Sequence, residues 1–353
     1  MQQTQRVRWV GRSIIATVVC FIVGALAGLV VLWGPPRPLV GELSLSVPAA
    51  GVAGVIAAAA FVVSTVMYRR GETGGMPRWQ AVVSNLSAVS LTLAFAGITA
   101  LGLLLAGQIL TIGLQGLRLP MWGGAIFTGA AAATGGRFAF TAGVGLRTRD
   151  LASVLFGFLV IGTLFAMVTA ADATWWQRNF SQLGTGAGAW AFNGTVIVAG
   201  LLIATVGAYI GRDLHRLYGD DSFASITWSV VLWAATGLAL AAVGLLPEHL
   251  VPLPHAVAAV TALALLIVSA IATTAVLKNA PRFLWVSTAG FVLLSLASLI
   301  LADPLGVFPV TVLEVIVVGI CLLWMSTFIR TLAALTPDRP RASHRGKLMP
   351  VQH

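Results

Sequence analysis

Apolar positions in this chain are not spread at a strand or surface-helix period. They run on for about 20 residues at a time, the length of a bilayer-spanning helix. The first run, Ile14 to Trp33, follows Arg6, Arg8 and Arg12. A cleaved signal peptide opens the same way, but its apolar core stops after about 7–15 residues. Here the run passes the small residues Ala25 and Ala27 and continues through Gly28 to Trp33, which predicts an uncleaved first span. Nine further runs follow: Ala49 to Tyr68, Val82 to Ala106, Trp122 to Leu146, Leu151 to Ala171, Ala191 to Gly211, Ile226 to Leu246, Ala256 to Leu277, Phe283 to Ala302 and Val310 to Thr331. The fourth is rich in Gly and Ala and carries Arg137.

The segments between the runs set orientation, because cytoplasmic loops hold an excess of Lys and Arg. With the N-terminus inside, the inner segments collect Arg6, Arg8, Arg12, Arg69, Arg70, Arg78, Arg147, Arg149, Arg212, Arg216, Lys278, Arg282, Arg330, Arg339, Arg341, Arg345 and Lys347. The outer loops hold only Arg37, Arg118 and Arg178. Adding or dropping one central span scrambles this segregation. The expected fold is therefore an all-α polytopic membrane protein of about ten transmembrane helices, with both termini cytoplasmic.

Composition narrows the function classes. Of 353 residues, 58% are hydrophobic and 9% charged, whereas a soluble fold carries about a quarter charged residues. No sizeable aqueous domain fits, so any function lies in the membrane or at its surfaces. A net charge of +10 would suggest nucleic acid in a soluble domain; here it reports topology, and membrane lipids are the expected partners. Cys20 and Cys321 sit inside apolar runs, which excludes a disulfide framework or a cysteine metal cluster. Of the histidines, His215 is on the inner side and His344 and His353 are in the tail, leaving His249 and His255 outside, too few for a zinc site. No metal or cofactor is expected. The scarcity of Lys beside Arg, with abundant Ala and Gly, points to a GC-rich bacterium and its cytoplasmic (plasma) membrane. Residues 332–353 read as a disordered basic tail.

At an offset of 97 residues, Trp79-Gln80, Ser84, Leu86, Ala94-Phe95 and Gly97 align with Trp176-Gln177, Ser181, Leu183, Ala191-Phe192 and Gly194. Two copies so placed would be inverted in the membrane, as in many secondary transporters; separate use of Trp at two interfaces gives the same pattern.

The second copy lies in a longer signature. The string Trp175-Trp176-Gln177-Arg178-Asn179-Phe180-Ser181-Gln182-Leu183-Gly184-Thr185 is followed by Phe192-Asn193, then by Gly244-Leu245-Leu246-Pro247 and His255. It resembles the bacterial domain-of-unknown-function 998 family over residues 151–331, and more distantly is similar to the Frag1/DRAM/Sfk1 membrane proteins. The resemblance implies a six-helix module whose outward loops after its first and third helices carry the polar signature. Residues 1–150 then form a four-helix N-terminal membrane region. No settled activity comes with the bacterial family; the eukaryotic relatives are associated with lipid handling.

On the ten-helix topology, both signature loops lie on the outer face. The first brings Asp172, Trp176, Arg178, Asn179, Ser181 and Gln182, with Asn193 at the head of the next span; the second brings Glu248, His249 and His255. Glu314 enters from the outer end of the last helix, and a charge within a span is a functional candidate because burial is costly. The candidate ligand-binding set is Asp172, Trp176, Arg178, Asn179, Ser181, Asn193, Glu248, His249, His255 and Glu314, with Arg178 for phosphate and tryptophans at headgroup depth. A structural loop with Arg178 paired to Asp172 is the plain alternative, and Arg137 reads as snorkelling. The leading expectation is a non-enzymatic protein that binds or helps move an envelope lipid or amphiphile. The alternatives are a secondary transporter using Glu314, and a lipid hydrolase using Ser181 and His255 with Glu248 or Asp172 orienting the imidazole.

Overall fold

The computed structural model describes residues 2–69 and 78–336 and contains ten α-helices among them. They are α1 (Gln2–Val31), α2 (Ser46–Arg69), α3 (Arg78–Gly113), α4 (Met121–Gly145), α5 (Thr148–Val168), α6 (Ala189–Tyr218), α7 (Phe223–Leu245), α8 (Pro252–Val276), α9 (Arg282–Ala302) and α10 (Val310–Leu335). Each contains or closely overlaps one apolar run. The helices outlast the runs where no proline or glycine stops them: α6 continues through the charged residues up to Tyr218, and α10 goes on to Leu335. The predicted tail thus starts later than residue 332, and its remainder, residues 337–353, lies outside the described residues. Among the described residues, nine helices are long and apolar enough to cross a membrane. Many large apolar side chains on them are exposed, Val30, Val55 and Val286 among them, as a lipid-facing surface requires.

The chain forms two compact units. The first comprises the described residues of Met1–Gly74, Ala88–Leu146 and Val160–Val168. Helix α4, the one that falls short in hydropathy, lies at its heart. Added Cβ atoms at Gly124, Gly129 and Gly136 would strike Leu32, Phe21 and Cys20 of the α1 segment in turn, so α4 runs antiparallel to α1. Gly124 also abuts Leu45 and Gly143 abuts Ser64, so α4 runs parallel to α2. From Gly124 to Gly143 this contact extends about 28 Å at 1.5 Å per residue, close to the hydrocarbon thickness. The low hydropathy of α4 is explained by its company: small residues replace lipid-facing apolar bulk because the neighbours are helices. At one end of this unit, the α1–α2 and α3–α4 loops pair through the two-residue antiparallel strands β1 (Arg37–Pro38) and β2 (Arg118–Leu119). Arg137 is exposed on α4.

The second unit comprises the described residues of Gly75–Ser87, Arg147–Leu159 and Thr169–His353. Helices α6 and α7 approach through backbone: Gly200 and Gly237 each lie where a Cβ would collide with the other's carbonyl oxygen, and Gly207 lies under Trp233. Beyond them a polar ladder crosses the bundle. Trp233 Nε1 donates to Thr273 Oγ1 (2.8 Å), Thr236 meets Ser269 (3.0 Å), Thr274 meets Thr288 (3.0 Å), and Trp324 Nε1 donates to Thr288 Oγ1 (2.9 Å). The Trp324 ring stacks on Trp233, Phe291 and Phe328. On α6, Asp213 is buried and bonded to the Thr148 hydroxyl, so the charged end of that helix is partly packed rather than wholly solvated.

The two stretches related by the 97-residue offset take different shapes. The first lies wholly within α3, whereas Trp176, Gln177 and Ser181 lie in short 3-10 turns before α6. The matched Ala-Phe-x-Gly segments, and Leu104-Leu105 with Leu201-Leu202 beyond them, are α-helical in both copies.

Candidate functional site: a clamped polar cap

Between α5 and α6 the chain makes two 3-10 turns, Trp175–Gln177 and Phe180–Gly184. Local side chains set both. Asp172 Oδ1 accepts from the Thr174 N–H (2.8 Å) and hydroxyl (2.7 Å), closing an Asx-type turn. Those bonds, with a lesser contribution from the Arg178 charge, hold its carboxyl below the usual carboxylate range. Asn179 caps the second turn, its Oδ1 accepting from the Gln182 N–H at 3.2 Å.

The second turn is then gripped from four sides. Glu248, in the α7–α8 loop, accepts from Asn179 Nδ2 on one oxygen (3.0 Å) and from Gln182 Nε2 on the other (2.9 Å). Glu314, one turn into α10, accepts from the backbone N–H of Phe180 at 2.7 Å. Asn193, in the first turn of α6, donates to the Gly184 carbonyl at 3.4 Å, and a Cβ on Gly184 would come 2.5 Å from its Oδ1, so glycine is needed there. His255, in the first turn of α8, lies 2.8 Å from Ser181 Oγ through Nε2 and 2.7 Å from the Leu246 carbonyl through Nδ1.

The imidazole bonds fix a tautomer. A carbonyl oxygen only accepts, so Nδ1 carries the proton; in the neutral ring Nε2 is then the acceptor and the Ser181 hydroxyl donates. Ser181 and His255 are both buried, each 7% exposed. Two further contacts fasten the loop: the Thr311 N–H donates to the Arg178 carbonyl at 3.3 Å, and the Trp175 ring packs on Phe180 with centroids 5.1 Å apart.

The candidate residues divide into two groups. Asn179, Ser181, Asn193, Glu248, His255 and Glu314 converge on one turn. Asp172, Trp176, Arg178 and His249 stay exposed outside that network. The expected Arg178–Asp172 pair gives way to Thr174, which holds Asp172 directly. Neither carboxylate considered for orienting His255 does so, because the Leu246 carbonyl takes that place. Gln182 does more than its sequence position alone suggested. Its side chain is three residues from Asn179, the spacing that lets both amides reach one carboxylate.

Fold and cap together define a multi-pass α-helical membrane protein whose second unit carries a hydrogen-bonded loop fastened to three of its helices. The family described as "Protein of unknown function (DUF998)" matches residues 151–331, from α5 into α10, and the chain belongs to that family. No curated protein and no solved structure matches the chain.

Proposed function

We propose that this is a non-enzymatic protein of a bacterial cytoplasmic membrane, both ends inside, that binds or helps move an anionic envelope amphiphile at the outer end of its six-helix module. The observation that carries the reading is an exposed cation on clamped backbone: the Arg178 side chain is exposed while its carbonyl and the turn after it are bonded to α10, α8 and the α7–α8 loop. A cation displayed on immobilised backbone loses little freedom on binding, and guanidinium matches phosphate bidentately. Trp176 on the loop and Trp190 at the start of α6, 53% and 58% exposed, suit headgroup depth. The test is titration of the purified full-length protein, in zwitterionic nanodiscs, with a short-chain phosphatidylglycerol, followed by tryptophan fluorescence. Arg178→Ala is expected to weaken binding by about tenfold without changing the thermal midpoint; unchanged affinity refutes the reading.

A second reading rests on the 2.8 Å Ser181–His255 bond, a serine hydroxyl donating to a tautomer-fixed imidazole, which is the activating geometry for acyl transfer. It predicts that a fluorophosphonate labels wild type and not Ser181→Ala. If no label is taken up by protein whose loop is intact, the bond is a latch.

A further inference from the structure

Along α10 from Glu314 to Arg330 the helix advances about 24 Å, and near that far end a groove of about 780 Å³ separates it from the first two turns of α5. Arg149 and Arg330 line it beside Ser153 and Ser326, and apart from Asp150 the wall between them is made of apolar side chains and glycine, including Phe156 and Leu322. By helical rise, Phe156 lies about 10 Å beyond Arg149 along α5. Both arginines are thus toward the helix ends and the apolar wall extends toward the middle of the bundle. Asp150 also lines the groove, but its carboxylate is turned to its own helix start, accepting from the Arg147 N–H (3.0 Å) and facing Arg149 Nε (3.6 Å).

We propose that this groove holds one anionic phospholipid, its phosphate between Arg149 and Arg330 and an acyl chain along Phe156 and Leu322. The lining has the polarity pattern of that ligand: two guanidiniums for phosphate oxygens, two hydroxyls for the headgroup, and an apolar wall continuous with exposed Phe156 and Leu323 on the lipid-facing surface. The volume is that of a small-molecule pocket, about 300–1,000 Å³. Basic grooves between transmembrane helices are a recurrent setting for acidic headgroups, and the positive end of the α5 dipole adds to the attraction. A zwitterionic lipid compensates the two guanidiniums less well, and free phosphate leaves the apolar wall empty. This site is independent of the outer-loop reading, since no residue of the polar cap lines it.

The test is native mass spectrometry of the full-length protein extracted in detergent and incubated with equal phosphatidylglycerol and phosphatidylcholine. Phosphatidylglycerol is expected to be retained about tenfold over phosphatidylcholine. The double variant Arg149→Ala, Arg330→Ala should lose that preference with its thermal midpoint unchanged, because both side chains are exposed. Ser326→Phe, which fills the groove, should lose it with both arginines in place, while Arg178→Ala should keep it. Equal retention of the two lipids by wild type, or an undiminished preference in the double arginine variant, overturns the proposal. So does efficient cross-linking of Ser153→Cys between two copies, which would make the groove a subunit interface.

Discussion

In the first unit, hydroxyls turn inward on their own helices. Thr17, Thr92, Thr99, Thr111 and Thr128 each donate to the carbonyl four residues earlier, and the helices meet through glycine and alanine, with α4 lodged against α1 and α2. In the second unit, hydroxyls and indoles also reach across, tying α7 to α8, α8 to α9 and α9 to α10. Lipid tails are as apolar as leucine, so helices in a bilayer associate through close packing or through interhelical hydrogen bonds rather than hydrophobic burial. Packing of small residues resists separation but has little to say about a slide along the axis. A directional bond fixes height as well. The first unit also has a directional bond, from Arg12 to the Tyr68 hydroxyl (3.0 Å), but at an exposed position. The second unit places such bonds in its buried interior, and it is the unit whose helix ends must meet at one turn: α8 presents His255 and α10 presents Glu314 to adjacent residues, and a shift of one helical turn, about 5.4 Å, would unmake the cap.

The difference is broken most severely at Trp324, which is 1% exposed, donates to Thr288 and stacks on three rings. Trp324→Ala is expected to lower stability by about 3–5 kcal/mol, seen as a large drop in thermal midpoint in detergent and faster amide exchange in the Phe180–Gly184 turn. Trp324→Phe keeps most of the stack and removes the N–H, so it isolates the bond at about 1 kcal/mol. In the first unit the corresponding lesion is steric. Gly124→Val drives a side chain into Leu32 and Leu45, where a Cβ alone would approach to 2.7 and 2.8 Å, for an expected cost of about 1–3 kcal/mol. Gly290→Ala, where a Cβ meets nothing within 4 Å, should be neutral or slightly stabilising. Equal costs at Gly124 and Gly290 would remove close packing as the organising feature of the first unit.

At the cap itself, Glu248→Ala strands the amide donors of Asn179 and Gln182, at about 1–3 kcal/mol. The expected signature is local: amides of Phe180–Gly184 exchange faster while those of α7 and α9 in the same unit keep their protection. A global loss of protection would instead make the cap a keystone of the whole second unit.

The sequence carried the ten helices because a span announces itself by an apolar run, and each run lies mainly in a helix of its own. Even α4 was legible, although burial among helices had diluted its hydropathy with Gly and Ala. The membrane-side arrangement of the candidate residues was partly legible: alternating spans put the Ser181 and His255 loops at one end, and there they bond. Which residues are spent holding the loop and which stay exposed was not, because that depends on carboxylate and carbonyl positions set by three helices at once. Leu246 illustrates the gap. Its side chain is irrelevant to His255, and its carbonyl, which any residue would supply, fixes the tautomer. The 97-residue likeness says nothing of local structure, since matching Trp-Gln and Ser residues fall on continuous helix in one copy and 3-10 turns in the other.

The exposed part of the loop offers the smallest effect and the cleanest sign. Thr174 holds the Asp172 carboxyl below its ordinary value near 3.8, so the folded state binds that proton less readily than the unfolded chain does. A depressed carboxyl contributes stability at pH above its unfolded value, and that contribution disappears as pH falls through the lower folded value. Asp172→Asn keeps an acceptor for Thr174 and removes the charge, so it isolates the electrostatic part. The expected result is a wild-type midpoint slightly above the variant's at pH 6, reduced by salt because the group is fully exposed, and a gap that closes on acidification below about pH 3.8. A gap that persists in acid would mean the aspartate acts through shape and not charge. A gap that narrows or reverses on adding phosphatidylglycerol, with Asp172→Asn binding more tightly, would show Asp172 competing with the ligand for the charge on Arg178.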